Sequence, residues 1–436
     1  MALIHPQSCE SVDTGLDLFS MPPTQTSVED GQFVEFHPLS SLSPSAPIEF
    51  AISGKVTEYL DSINTYLHVR AKVTNADGSD LDAGADVAPI NYWLHSLFSQ
   101  ADISLNDTLI SPSENTYPYR AYIEACLNYG KDAKKGHLTA ALFYRDSSQH
   151  FDDIQGDENS GMKVRRGMTA RSKEVDMMGR LHTDIMALDR YLLNGVDIKI
   201  RLVRSKHAFN LIAHGGDPTY VSSITHASLF VRKCKLNPAV ALAHAKALEK
   251  GTAKYPMKRV VLKTFSIPRG NLSAVQDNLF LSQLPTRIII GLVESATFNG
   301  TFDKNPFNFK HRGLSFLSLF LEGKQIPGKP LTPDFENKMY CRSYFSLFTD
   351  TGLANKDAGN SIEYRDFPGG YALFAFDLSP SLLDGNQVEL VKSGSMRLEL
   401  KFKTALLEPV YVTSYAELDS LLEIDRSRQI LTDYTS

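Results

Sequence analysis

His182, in the run Arg180-Leu181-His182-Thr183-Asp184, is the histidine best placed to act as a general base or a metal ligand. An imidazole titrates near neutrality, but it needs a carboxylate or a second ligand beside it to do either job. The twelve histidines do not cluster in the sequence. Alone on an expected strand, His182 reads as a hydrogen-bonded structural residue. Asp152-Asp153 offers paired carboxylates for acid–base work, yet it lies in a polar stretch without the apolar shell that shifts a carboxyl group. Gly369-Gly370 would let a backbone approach a phosphate closely. A strand follows it, however, so the helix N-terminus that supplies phosphate donors is missing. A Gly-x-Ser-x-Gly elbow, a Walker-type loop and a His-Glu-x-x-His helix are all absent from the sequence. No catalytic, cofactor-binding or metal-ligating residue is assigned, no cofactor is expected, and the chain does not read as an enzyme.

Cys9, Cys126, Cys234 and Cys341 stand far apart with no Cys-x-x-Cys pair, which excludes a zinc or disulfide framework and leaves buried, reduced thiols as the expectation. The opening Met1-Ala-Leu-Ile-His-Pro lacks an apolar leader core, so secretion is not expected. The Asn-x-Ser/Thr triplets at Asn106, Asn271 and Asn299 are then chance matches. Lys163, Arg165, Arg166, Arg171 and Lys173 form a basic cluster inside the polar stretch Asp146–Lys173. With no aromatic residues interleaved to stack on bases, it reads as a solvated surface loop. Net charge is −5, against a surface built to neutralise phosphates, and no specific nucleic-acid recognition is expected. The longest apolar runs, such as Phe316–Leu321, are too short for a membrane span.

The elements that would hold such residues are strands. Met396-Arg397-Leu398-Glu399-Leu400-Lys401-Phe402 alternates apolar and charged residues without a break, the pattern of a strand with one buried face. Asp197–Val203 uses the same device about two hundred residues earlier, and each run is followed by a longer β segment, Ala227–Leu236 or Val410–Ile424. Asn106-Asp107 and Glu322-Gly323 mark two comparable hairpins, and Tyr371–Leu378 is apolar on both faces. Helical spacing appears at Tyr119, Tyr122, Ile123, Cys126 and Leu127. It appears again after Asn237-Pro238, where an N-cap, a first-turn proline and a closing Gly251 bracket an Ala-rich run. Trp93 sits in an apolar run and reads as core.

With 436 residues, 42% hydrophobic and 22% charged, the chain is long enough for two to three domains, or two large β ones. The fold class is all-β: two tandem eight-stranded jelly rolls, with short helices in loops and at the connection between domains. The expected divisions are an extended arm over 1–45, a first roll over 46–236, a connecting helix and linker over 237–256, a second roll over 257–430 and a tail over 431–436.

Four stretches carry a likeness to a known family: Gly15–Phe19 with Pro22–Thr26; Leu94–Gln100 through the Asn106 hairpin to Arg120; Gly179–Asp184 with Leu192–Asp197; and Tyr371–Phe374 onward to Leu422–Arg426. In order and over nearly the whole chain, they resemble the double jelly-roll, hexon-like major capsid proteins of Polinton/Maverick-type elements and adintoviruses. More distantly, they resemble those of the nucleocytoplasmic large DNA viruses. The resemblance implies a homotrimer forming a pseudo-hexagonal capsomer that tiles an icosahedral shell. Its partners would be neighbouring capsomers, penton and minor capsid proteins, and its location the virion, assembled inside a host cell. The family brings no catalytic residues. A minor capsid or domesticated jelly-roll protein, and a carbohydrate-binding β-sandwich module, are the alternatives.

Overall fold

The computed structural model describes residues 5, 7–44, 46–111, 114–155, 157–214, 219–382 and 389–434. The first roll is built from β1 (Val28–Phe36), β2 (Ile48–Ile52), β3 (Glu58–Asn75), β4 (Phe98–Leu105), β5 (Thr108–Leu109), β6 (Val175–Arg180), β7 (Ile198–Arg204) and β8 (Tyr220–Leu236). The second is built from β9 (Ala253–Ile267), β10 (Ser273–Gln283), β11 (Arg287–Glu294), β12 (Leu314–Leu321), β13 (Lys324–Leu331), β14 (Leu373–Asp377), β15 (Ser393–Phe402) and β16 (Val410–Ile424).

Strand order is β1-β8-β3-β6 facing β2-β7-β4-β5 in the first roll, and β9-β16-β11-β14 facing β10-β15-β12-β13 in the second. Adding eight to each label of the first roll reproduces the second, so the duplication read from the strand patterns is present at the level of topology. Each roll is a sandwich of two antiparallel sheets with four strands on each main path, the jelly-roll arrangement, and a short fifth strand is added beside β16 in the second.

The alternating runs do what their period requires. In β15, Met396, Leu398, Leu400 and Phe402 are buried while Lys401 is exposed. In β7, Ile198, Ile200 and Leu202 point inward and Lys199 and Arg201 outward. Both hairpins turn through two left-handed residues, Asn106 and Asp107 (φ 44° and 67°) and Glu322 and Gly323 (φ 48° and 78°). That turn matches the right-handed twist of the flanking strands. After β5 comes α1 (Tyr117–Asn128), then α2 (Ser160–Thr169). Between the rolls lies α3 (Pro238–Leu248), with the Asn237 side chain accepting from the Ala239 N–H at 2.9 Å. After β13 comes α4 (Cys341–Thr349), in the same place in the connectivity as α1.

Several expectations change. The stretch read as an arm over 1–45 contains β1, which is laddered along β8. Its side chains are mostly exposed, and Gly31 interrupts it, so an edge strand here leaves almost no hydrophobic period. The linker over 237–256 already holds the start of β9, whose partners reach from Ala253↔Ile424 onward. The tail is not free: Ile430–Thr432 extends the sheet at β16, and the Tyr434 hydroxyl donates to the Ile110 carbonyl in the first roll. Asp146–Lys173 is not a solvated loop. It contains α2, capped by the Asn159 side chain, and Arg165 is fully buried against Asp146. Of the four cysteines, all free, Cys126 and Cys234 are buried but Cys9 and Cys341 are exposed.

Candidate functional site: the seam between the rolls

A dense cluster of ionisable side chains lies where α1 of the first roll meets the outer face of the sheet β9-β16-β11-β14. Arg120 donates to Glu124 at 2.9 Å and to Asp184 at 2.7 Å. His182 Nδ1 lies 2.6 Å from the second oxygen of Glu124, and its Nε2 lies 2.8 Å from the Tyr92 hydroxyl. Asp184 accepts from the Val260 N–H, satisfying the edge strand β9 at 3.1 Å. Tyr415 brings its hydroxyl to 3.3 Å from both Glu124 and Glu417.

Burial works against every charge here. For Glu124 the cost of burial is overcome by the Arg120 charge and by hydrogen bonds from His182 and Arg120, which hold its carboxyl at about 2. For Asp184 burial wins over Arg120 and the carboxyl is raised. The two differ because Glu124 gathers more donors from the same neighbourhood. Burial, then the neighbouring His182, pushes His95 well below the ordinary histidine range, so it stays neutral and bonds the Tyr117 hydroxyl at 2.9 Å.

An acid, a base and a guanidinium within bonding distance resemble catalytic machinery in composition. The space beside them does not. The cavity lined by Tyr117, Arg120, His182 and Leu262 measures about 30 Å³, room for a water molecule and not for a substrate. The arrangement can pin two domains together.

Outside this cluster, His68 stands 2.5 Å from Asp176 and 3.4 Å from the Ser228 hydroxyl on the outer face of the sheet β1-β8-β3-β6. The order of residue types matches a hydrolase triad, but Ser228 is completely buried and no substrate carbonyl can reach it. Among the described residues there is no group of three His, Cys, Asp or Glu side chains able to hold a metal. No helix among them is long and apolar enough to cross a membrane.

A second part of the seam explains the remaining sequence candidates. Arg165 bonds Asp146 at 2.6 Å, and the Tyr371 hydroxyl of the second roll donates to the Asp146 carbonyl at 2.6 Å. Arg145 bonds Asp366 at 2.6 Å. Lys134 is buried and donates to the carbonyls of Cys126 and Asn360, and burial lowers its ammonium to about 8. Asp152 accepts from the Asn305 N–H at 2.7 Å, so this half of Asp152-Asp153 is a strut between rolls. His182 follows β6 in a loop and not on a strand, and its hydrogen bonds are the structural ones expected of it. Gly369-Gly370 packs against Ser148, Gln149 and Phe151 of the first roll. A Cβ on Gly369 would fall 2.0 Å from the Ser148 hydroxyl, and one on Gly370 2.2 Å from the Phe151 ring. The pair lets the insertion of the first roll lie flat on the second. Trp93 is fully buried. Arg120, Glu124 and Tyr415 were not singled out from sequence, because their meeting depends on a contact between separately folded halves. The one available signal was Arg120 and Glu124 four residues apart on a helix.

No protein-family model matches the sequence. The uncharacterised protein F54H12.2 of Caenorhabditis elegans is 29% identical over 425 residues, spanning 95% of this chain and 99% of that one. A chain in the cryo-EM structure of the Sputnik virophage superposes with a TM-score of 0.62 at 13% identity, covering 100% of this chain and 95% of its own. The faustovirus major capsid protein gives 0.57 at 10% identity, covering 94% and 92%. The mavirus major capsid protein gives 0.52 at 12%, covering 100% and 97%. The fold is the viral double jelly roll. Two of its structural neighbours, those of faustovirus and mavirus, are viral major capsid proteins, and these likenesses cover 94% and 100% of this chain.

Proposed function

We propose that this double jelly roll is a structural subunit, a major capsid protein whose homotrimers form pseudo-hexagonal capsomers and tile an icosahedral shell. The observation that carries the reading is the repeat of one eight-stranded topology in a chain that superposes along its length on viral major capsid proteins. Two similar rolls make one third of a six-sided block, and three-fold closure completes it. The subunit works by shape and not by catalysis, and its location is the virion. The Polinton/Maverick and adintovirus likeness in the sequence supports the same reading, as does a seam whose ionisable groups are packed too tightly to admit a substrate. Neighbouring capsomers, penton and minor capsid proteins are its partners.

The full-length animal relative favours a second reading on the same fold, a genome-resident copy retained for another structural task. Native mass measurement of the purified chain, followed by electron microscopy, tests both. Three times the 48.4 kDa chain mass with six-lobed particles is the expected result. A stable monomer at micromolar concentration would sink the capsid reading, and a trimer that never forms larger arrays favours the second.

A further inference from the structure

The seam is closed at the Arg120 cluster, but it opens at Lys134. There the insertion of the first roll and the segment after α4 enclose a cavity of about 1180 Å³, large enough for a ligand of several rings. Its walls come together at one edge, where a Cβ on Gly130 would lie 3.3 Å from the Gly359 carbonyl oxygen.

Lys134 stands in the wall of this cavity and is only 8% exposed. Its ammonium donates to the Cys126 carbonyl at 2.7 Å and to the Asn360 carbonyl at 2.5 Å, one partner in each roll. An ammonium has three N–H donors, so one is left over. No carboxylate pairs with it among the described residues. A buried charge is ordinarily held by an opposite one, because two carbonyl dipoles do not replace the water it has lost. The neighbouring charge has the same sign: Arg145, whose guanidinium is already taken by Asp366 at 2.6 Å.

The rest of the lining is rich in free donors. Lys131 and Lys135, on the short helix Lys131–Lys135, are exposed and form no ion pair among the described residues. In the wall from the second roll, the Ser361 hydroxyl is buried without a hydrogen-bond partner among the described residues. Cationic side chains in the lining outnumber carboxylates by five to three, and one of those carboxylates, Glu363, is engaged by Arg365 at 2.9 Å. This local excess of positive charge stands on a chain whose net charge is −5.

We propose that this cavity binds a compact polyanion, a small ring compound carrying several phosphate or sulfate groups, with one group on Lys134 and others on Lys131 and Lys135. Such groups supply the acceptors that the free donors lack, and charge-assisted hydrogen bonds to them are the strong kind. A single small anion would satisfy Lys134 alone. The volume and the two further ammonium groups call for several charges on one frame. Because the walls belong to different rolls, the bound compound would also tie the rolls together. The inference stands apart from the capsid reading and is tested separately.

Isothermal titration calorimetry of the full chain at near-physiological salt tests it, with inositol hexakisphosphate and a heparin-derived hexasaccharide as the two probes. At least one should bind with one molecule per chain, and which one binds tells whether phosphate or sulfate is preferred. Lys131→Gln with Lys135→Gln should weaken that binding about tenfold or more, and Lys134→Met should weaken it at least as much. Lys324→Gln with Lys329→Gln removes the same charge from exposed positions on β13 and should leave affinity within about twofold. If Lys134→Met folds poorly, the pair at Lys131 and Lys135 decides, since both are exposed and their loss leaves the fold intact. Neither probe binding overturns the site. So does equal loss in the two double variants, which would mean diffuse attraction to surface charge, and so does unchanged affinity without Lys131 and Lys135.

Discussion

Tyr122 and Phe307 stack across the seam with ring centroids 4.2 Å apart and planes 2° from parallel. Tyr122 belongs to α1 of the first roll and Phe307 to the connection between β11 and β12 of the second. With Tyr119 stacked on Phe298 at 5.2 Å, they form an apolar wall beside the Arg120–Glu124–Asp184 cluster. Charges pinned next to aromatic faces fix one relative placement of the rolls, because any slip costs either packing or a buried charge left without its partner.

Tyr122→Ala is therefore expected to destabilise the protein by about 3–5 kcal/mol, the range for emptying a buried aromatic site. Denaturant unfolding followed by both fluorescence and circular dichroism checks it. Coincident transitions are expected in the wild type. Transitions that separate in the variant would mean that this pair couples the rolls; an unchanged midpoint would refute its role.

Tyr119→Phe should do the opposite. The Tyr119 hydroxyl is buried and has no hydrogen-bond partner among the described residues. An unmade buried bond costs about 1–3 kcal/mol, so deleting the oxygen while keeping the ring should be neutral or stabilising. A clear drop in melting temperature would show that the hydroxyl has a partner after all.

Gly370→Ala should be among the most damaging single changes. Gly370 has φ of 120°, which an L side chain rarely adopts, and its added Cβ would collide with Phe151. A loss above about 3 kcal/mol is expected, from strain and overpacking together. Gly328→Ala, where an added Cβ meets nothing within 4 Å, is the control and should change stability by less than about 0.5 kcal/mol.

Much of the fold was legible because a period of two survives wherever one sheet face is buried and the other wet. The Met396–Phe402 strand is the plain case, and the two left-handed hairpin turns announced themselves through Asn-Asp and Glu-Gly. Edge strands were not legible. In β1 only Val28, Val34 and Phe36 are partly buried, so nothing in Val28–Phe36 distinguishes a ladder member from a polar arm. Arg165 shows the other limit. A charge is read as solvated unless its partner is known, and Asp146 lies nineteen residues away across a helix cap. The seam failed for the same reason at larger scale, since His182, Glu124 and Tyr415 meet only after both halves have folded.

Leu400→Asp and Lys401→Asp test the register of β15 directly. Leu400 is buried in the second core, so an aspartate there should cost several kcal/mol. Lys401 is exposed, with its ammonium 4.9 Å from the Phe316 ring centroid, and its loss should cost no more than about 1 kcal/mol. Thermal melts of the two variants should differ widely; equal melts would mean the strand faces are misassigned.

The last expectation concerns acid. His311 stacks on Phe335 at 3.8 Å, and its Nδ1 accepts a hydrogen bond from the Gly313 N–H at 3.0 Å, which requires that nitrogen to be unprotonated. Burial, aided by the adjacent Arg312 charge, lowers its pKa to about 4. An unfolded histidine takes up its proton near 6.5. Between pH 6.5 and pH 4 the unfolded chain therefore binds more protons at this position than the folded one. Stability rises with pH across that window and is lost as pH falls through it. The loss should be on the order of 2–3 kcal/mol by pH 4. Other groups titrate in the same window: His95 acts in the same direction, and Asp350, raised to about 6 chiefly by burial, acts in the opposite one. The decisive quantity is thus the difference between wild type and His311→Asn, whose side-chain oxygen can keep the bond to Gly313 without titrating. Urea unfolding at pH 7, 6 and 5 should show a shallower acid loss in the variant. Parallel curves would mean that His311 takes up its proton in the folded chain as readily as in the unfolded one.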